Sequence, residues 1–127
     1  MHKIVSVPVK IQNVGVGAKN TFPNTQLLNG KTVCGIGIRS NPSADAKDSD
    51  GNNLITDAQA RAGFVTFRRD SDSVAMSLPL TYLHPTDCVR IWDYELENFN
   101  PQESEVVFSI GTVTVNTVVE FIIRYKD

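Results

Sequence analysis

The chain has little with which to do covalent chemistry. Its 127 residues include two histidines, His2 and His84, and two cysteines, Cys34 and Cys88. The cysteines lack CxxC or HxxxH companions, so a zinc site has no ligand set. Ser and Thr are common, but none stands in a GxSxG elbow. With His84 the one histidine away from the N-terminus, nothing supports a Ser-His-Asp arrangement. No window approaches the length of a membrane-crossing helix. There is no basic block, and the formal net charge is −2. An obligate duplex nucleic-acid partner is therefore not indicated. The N-terminal MHKIVSVPVK has no continuous apolar core of the signal-peptide kind. The expectation is a product made and kept in the cytoplasm of its host. In that compartment Cys34 and Cys88 are read as buried thiols, with a disulfide as the other reading.

What the chain does have is β patterning. The C-terminal stretch Glu105 to Tyr125, EVVFSIGTVTVNTVVEFIIRY, is dense in Val, Ile, Phe and Thr. Val113, Val115, Thr117, Val119, Phe121, Ile123 and Tyr125 fall at every second position, which predicts a strand with one face to a core. Val118 and Ile122 interrupt the polar face, so part of that face is expected to be covered too. Val106, Val107, Phe108 and Ile110 make an earlier apolar run, with a turn or bulge at Gly111. A strand of this kind needs partners on both sides.

The rest of the chain supplies them. Ile4 to Gln12 alternates, with Val5, Val7, Val9 and Ile11 inward. Pro8 cannot donate to a ladder, which places this strand at an edge or its proline at an unpaired position. Asn13 to Asn29 reads as a long loop with room for a short extended piece, and loops of that length usually have a task. Lys31 to Ser40 reads as a strand with Cys34, Ile36 and Ile38 inward and a bare strip at Gly35 and Gly37. Asn41 to Asn53 is a polar surface loop. Leu54 to Ala62 fits a short strand, or one helical turn capped at Thr56 or Asp57. Strands follow at Phe64 to Arg68, Val74 to Tyr82 (Val74, Met76, Leu78 and Leu80 inward) and Val89 to Leu96. Pro101 breaks a loop before the closing stretch. About eight strands with irregular loop lengths fit an all-β sandwich or barrel, and the long connections favour a Greek-key or jelly-roll path.

Several side-chain groups invite a functional reading. Asp45, Asp48, Asp50, Asn52 and Asp57 surround Gly51, but their spacing departs from a calcium loop, and no helix pair flanks them. The plain reading is a solvated turn, with any weak calcium binding falling at Asp48 and Asp50. Asp93, Glu95 and Glu97 share one strand face and read as a solvated sheet edge. Trp92 and Tyr94, with Tyr82, suggest a sugar-stacking platform, against a packing role for Trp92. Arg68 and Arg69 beside Asp70 and Asp72 form a mixed-charge hairpin tip. No catalytic residues, no metal ligands and no cofactor are expected.

One series of motifs has a familiar order. Phe22-Pro23 is followed by Leu27-Leu28-Asn29-Gly30-Lys31 and by Val33-Cys34-Gly35-Ile36-Gly37-Ile38. Gly63-Phe64-Val65-Thr66-Phe67, then Ser77-Leu78-Pro79-Leu80 with Leu83, then Ser104 to Ile110 continue it. Across roughly residues 20 to 125 this resembles small single jelly-roll capsid proteins of tailless icosahedral bacteriophages, the penton or minor coat subunits. The chain is too short for a second jelly roll. The resemblance implies a virion structural protein that assembles through loops and strand edges into a homo-oligomer, with a pentamer at a vertex, beside other capsid proteins. Its localisation would be the virion. Asn13, Val14, Phe22 and Asn24 are the expected subunit contacts, together with the exposed face of the last strand. The alternative is a carbohydrate- or receptor-binding sandwich such as a spike domain, using Trp92 and Tyr94. A small jelly-roll enzyme would need a bound metal.

Overall fold

The computed structural model describes residues 2–23, 26–39, 51–70, 73–83, 92–109 and 113–126. Asn24, Asp45, Asp48, Asp50, His84 and Cys88 lie outside that set. Among the described residues, eight strands form two four-stranded sheets. One has the order β1 (His2–Lys10), β8 (Val118–Lys126), β3 (Thr32–Arg39), β6 (Trp92–Leu96). The other runs β2 (Lys19–Thr21), β7 (Glu105–Phe108), β4 (Gly63–Asp70), β5 (Ser73–Pro79). Every strand pairing is antiparallel. The all-β sandwich expected from the patterning is the architecture observed.

The pairings follow a simple rule. β1 pairs with β8, β2 with β7, β3 with β6 and β4 with β5. That is one long hairpin doubled back between β4 and β5. It is wound so that β8 also meets β3 and β7 also meets β4.

β8 is the centre of its sheet, flanked on both sides as its density of β-branched residues requires. Val119, Phe121, Ile123 and Tyr125 point inward and are buried. On its other face Val118 and Glu120 are buried and Ile122 is half-covered. The strand starts later than its periodicity predicts. Val113 to Thr117 is a turn, with Asn116 at φ 71°. Asparagine tolerates that left-handed backbone, and local hydrogen bonds replace the ladder. Asn116 N donates to Ile11 O at 2.8 Å, and the hydroxyls of Thr114 and Thr117 are 2.9 Å apart. Val115 is left half-exposed at the tip.

Two irregularities in strand pairing redirect side chains. The register of β3 shifts between Val33 and Gly35. Val33, Ile36 and Ile38 therefore face the core, and Cys34, expected inward, is only half-buried. The β4–β5 register shifts after Phe67, so Val74 is half-exposed while Met76 and Leu78 keep their core contacts. Pro8 lies on edge strand β1, and Pro79 ends edge strand β5, as their missing N–H groups demand. Leu80 reaches the core from a 3₁₀ turn over Leu80–Tyr82 rather than from the strand.

Helix α1 (Asp57–Arg61) is the helical alternative for Leu54 to Ala62. Thr56 caps it, accepting from Gln59 N, and Gln59 Oε1 accepts from Thr56 N in return. The core between the sheets centres on four rings, Phe22, Phe67, Phe99 and Phe121. Phe22 stacks on Phe121 at 4.9 Å between centroids and meets Phe67 and Phe99 edge-on.

Candidate functional site

The loop between β1 and β2 is held by one buried side chain. Asn20 Oδ1 accepts from the backbone N–H groups of Gln12 (2.9 Å) and Asn13 (2.8 Å), and its Nδ2 donates to Asn13 O. Asn13 Nδ2 donates to Lys19 O at 2.9 Å, closing the loop from the other side. Gly15 and Gly17 take φ +120° and +79°, which lets the chain turn tightly. Gly17 N then donates to Phe108 O. The outcome is an ordered loop that displays Val14 and Val16, the latter 73% exposed. Val115 stands on the turn hydrogen-bonded to Ile11, at the root of the same loop.

Of the expected contact residues, Asn13 and Val14 are therefore on this loop and exposed. Phe22 is not available to a neighbour. It is 3% exposed, because its ring completes the aromatic core.

Several charged side chains on the outer faces are tied to one another. Glu105 is only 6% exposed, although it points away from the core. Arg68 donates to its Oε1 from Nη2 (2.7 Å) and Nε (3.2 Å), and Lys19 Nζ lies 3.7 Å from Oε2. These residues with Thr21, Gln102 and Glu103 line a cleft of about 260 Å³. Of the expected mixed-charge tip at Arg68 and Arg69, Asp72 and the side chain of Asp70 lie outside the described residues. Arg68 turns to Glu105, and Arg69 Nε donates to Glu97 O. Ser104 is the pivot beneath this cleft. Its hydroxyl donates to Asn100 O and accepts from Arg68 N, while its carbonyl accepts from Phe22 N.

On the opposite sheet, Glu120 accepts from Ser6 Oγ at 2.6 Å and pairs with Arg39 Nη1 at 3.0 Å. Arg124 Nη2 donates to the backbone carbonyl of Cys34 and to Asp93 Oδ1, and the adjacent side chains of Cys34, first, and of Asp93 raise the guanidinium pKa above its ordinary value. Such pairs position strands and neutralise charge. No nucleophile is brought beside a general base by the bonds just described. Among the described residues, no group of three His, Cys, Asp or Glu gathers as a metal centre would require. A smaller polar cleft of about 140 Å³ lies between Gly51–Asn53 and Thr114–Thr117.

Trp92 and Tyr94 lie on the core side of β6, half-buried against the core. Trp92 Nε1 donates to Leu83 O at 3.3 Å. Tyr82, in the adjoining 3₁₀ turn, is 63% exposed. The three aromatics do not share one solvent-facing strand surface. Asp93 and Glu95 occupy the outer face of β6 and are exposed, as expected of a solvated edge.

The roles of Asn20, Ser104 and Glu105 carry no mark in the sequence. Each depends on partners brought in from another segment, 36 and 37 residues away for the bonds of Ser104 and Glu105 to Arg68. A carboxylate at the head of an apolar strand was the one available signal for Glu105.

The fold defines the class: an all-β sandwich of two four-stranded sheets. No protein-family model matches the chain, and no curated protein or solved structure matches it.

Proposed function

We propose that the chain is a structural subunit of a virion, a jelly-roll penton or minor coat protein that assembles with copies of itself and with other capsid proteins. The observation that supports the reading is the strand order, β1-β8-β3-β6 against β2-β7-β4-β5, one long doubled-back hairpin compatible with a jelly-roll path. The fold alone does not set a function. The ordered motif resemblance gives this fold its direction. The described surface is compatible with assembly: paired charges, an ordered loop presenting Val14 and Val16, and Val115 beside it.

The test is the native mass of the purified chain by light scattering over a range of concentration and salt. A closed ring, above all a pentamer, supports a vertex subunit. A chain that stays monomeric and is retained by glycans supports the second reading, a carbohydrate- or receptor-binding sandwich. That reading draws on the exposed Tyr82, whose neighbour Leu83 accepts the Trp92 N–H.

A further inference from the structure

We propose that the outer face of the β2-β7-β4-β5 sheet binds one neutral sugar ring of a glycan, between Phe64 and the cleft of Arg68 and Glu105. The site is separate from the aromatics at Trp92 and Tyr82, and it does not depend on self-assembly.

The strand register lays the site out as two rows that cross all four strands. Lys19, Val107, Phe64 and Pro79 stand side by side in the first. Thr21, Glu105, Thr66 and Ser77 stand side by side in the second. All eight positions lie within the described residues. Between the rows Asn20, Val106, Val65 and Leu78 are buried, so both rows face outward. The first row is apolar from Val107 to Pro79, and the second is polar throughout. Residues two apart on a strand are separated by about 7 Å, a gap that one pyranose ring bridges.

Phe64 supplies the apolar half. It is 44% exposed and takes no part in the core cluster. Flanked by the half-buried Val107 and Pro79, its ring offers an apolar surface to the C–H face of a sugar. The apolar strip is one row wide. A stable protein interface takes about 800 Å² from each partner, far more than three side chains supply, so the strip suits a small ligand rather than a second copy.

Glu105 and Arg68 supply the polar half. Glu105 is the diagonal neighbour of Phe64 across the β4–β7 pair, a separation of about 7–8 Å that an aromatic ring reaches over. Arg68 spends Nε and Nη2 on Glu105 Oε1, which leaves Nη1 over as a donor. Glu105 Oε2 has Lys19 Nζ at 3.7 Å, beyond hydrogen-bond length, and so keeps acceptor capacity. Donor and acceptor side by side suit two adjacent sugar hydroxyls. The pair is already fixed before a ligand arrives, which lowers the ordering cost of binding. Thr21 and Gln102 add neutral polar groups to the same cleft.

Charge selects the class of sugar. Around the cleft Lys19 and Arg68 are balanced by Glu103 and Glu105. A sialylated or sulfated glycan finds no surplus cation there, whereas a neutral hexose needs none. The cleft of about 260 Å³ lies just under the ~300 Å³ at which pockets for drug-sized ligands begin, which fits a single ring.

The experiment is retention of the purified chain on an array of neutral, sialylated and sulfated glycans, followed by calorimetric titration with the best-retained neutral glycan. Retention of neutral glycans is expected. Phe64→Val is expected to weaken binding at least about tenfold, and Phe64→Tyr to keep it. Valine holds strand propensity, so the urea midpoint of Phe64→Val should stay near that of the wild type and the loss reads as binding. Gln102→Ala, on the exposed rim, should weaken binding without changing the midpoint.

A chain that retains no neutral glycan, or charged glycans alone, overturns the proposal. Binding that survives Phe64→Val and is lost in Trp92→Ala assigns the sugar to the other aromatics and also overturns it. So does a drop in native mass with Phe64→Val, which would make this face a contact between copies. The wild-type native mass tests assembly by itself, so failure of the sugar site leaves the virion reading standing.

Discussion

Replacing Phe22 by alanine separates a core residue from a contact residue. The ring is 3% exposed and touches Phe67, Phe99 and Phe121 at centroid distances of 5.8, 6.0 and 4.9 Å. Truncating a buried phenylalanine costs about 3–5 kcal/mol, through lost transfer energy and the cavity left behind. Each aromatic pair is worth about 0.5–1.5 kcal/mol beyond its buried area, so three partners put this site toward the upper half. The expected loss is about 4 kcal/mol. A domain holds only about 5–15 kcal/mol in total, so the variant folds with a thin margin. With a urea m-value of about 2 kcal/mol/M, the unfolding midpoint falls by about 2 M. Tryptophan fluorescence and far-UV circular dichroism through the urea transition read the shift. Phe22→Leu keeps most of the apolar volume and should lose less than half as much. The reasoning is refuted if Phe22→Ala unfolds at the wild-type urea concentration while its native mass drops. Phe22 would then be a subunit contact.

Gly63→Ala overpacks the core, because a Cβ there meets Leu80 Cδ1 and stands 2.9 Å from Phe108 Cε1; a loss of about 1–3 kcal/mol is expected in thermal melts. Glu105→Gln removes the charge that Arg68 faces. Arg68 keeps partial access to water, so the cost is about 2 kcal/mol rather than the 3–5 of a fully buried pair, and a double-mutant cycle with Arg68→Met should return a clear coupling. Trp92→Ala takes away a half-buried ring and its bond to Leu83 O, and about 2 kcal/mol of stability is expected to go with it. A glycan array read on the same variant decides its role: selective loss of retention at unchanged stability contradicts packing and supports the platform.

Much of the fold was legible from side-chain period alone. Alternation marked β1 and β8, Pro8 and Pro79 marked strand edges, and Thr56 was one of two cap candidates for a helical turn weighed against a short strand. These signals are local, and nothing distant had to be known to read them. The failures came where local pattern and pairing disagree. Val113 to Thr117 keeps a strand's alternation, yet hydrogen bonds to Ile11 make it a turn. Cys34 has an inward position by count, and a shift against β6 and β8 displaces it. Phe22 reads as a loop residue, and only the meeting of two sheets shows that its ring fills the space between Phe67 and Phe121.

The sequence by itself determined that this is a β protein with amphipathic strands, proline-guarded edges and an ordered set of motifs. Strand identity follows from the period of side chains along one segment, which is a property of the chain. Tertiary structure decided which strands are neighbours, and so which residues meet. Arg68 finds Glu105, Asn20 holds Gln12 and Asn13, and acidic β6 and basic β1 become the opposite edges of one sheet. Those relations depend on how a long hairpin winds, and winding is settled by packing two apolar faces together rather than by any one stretch of sequence.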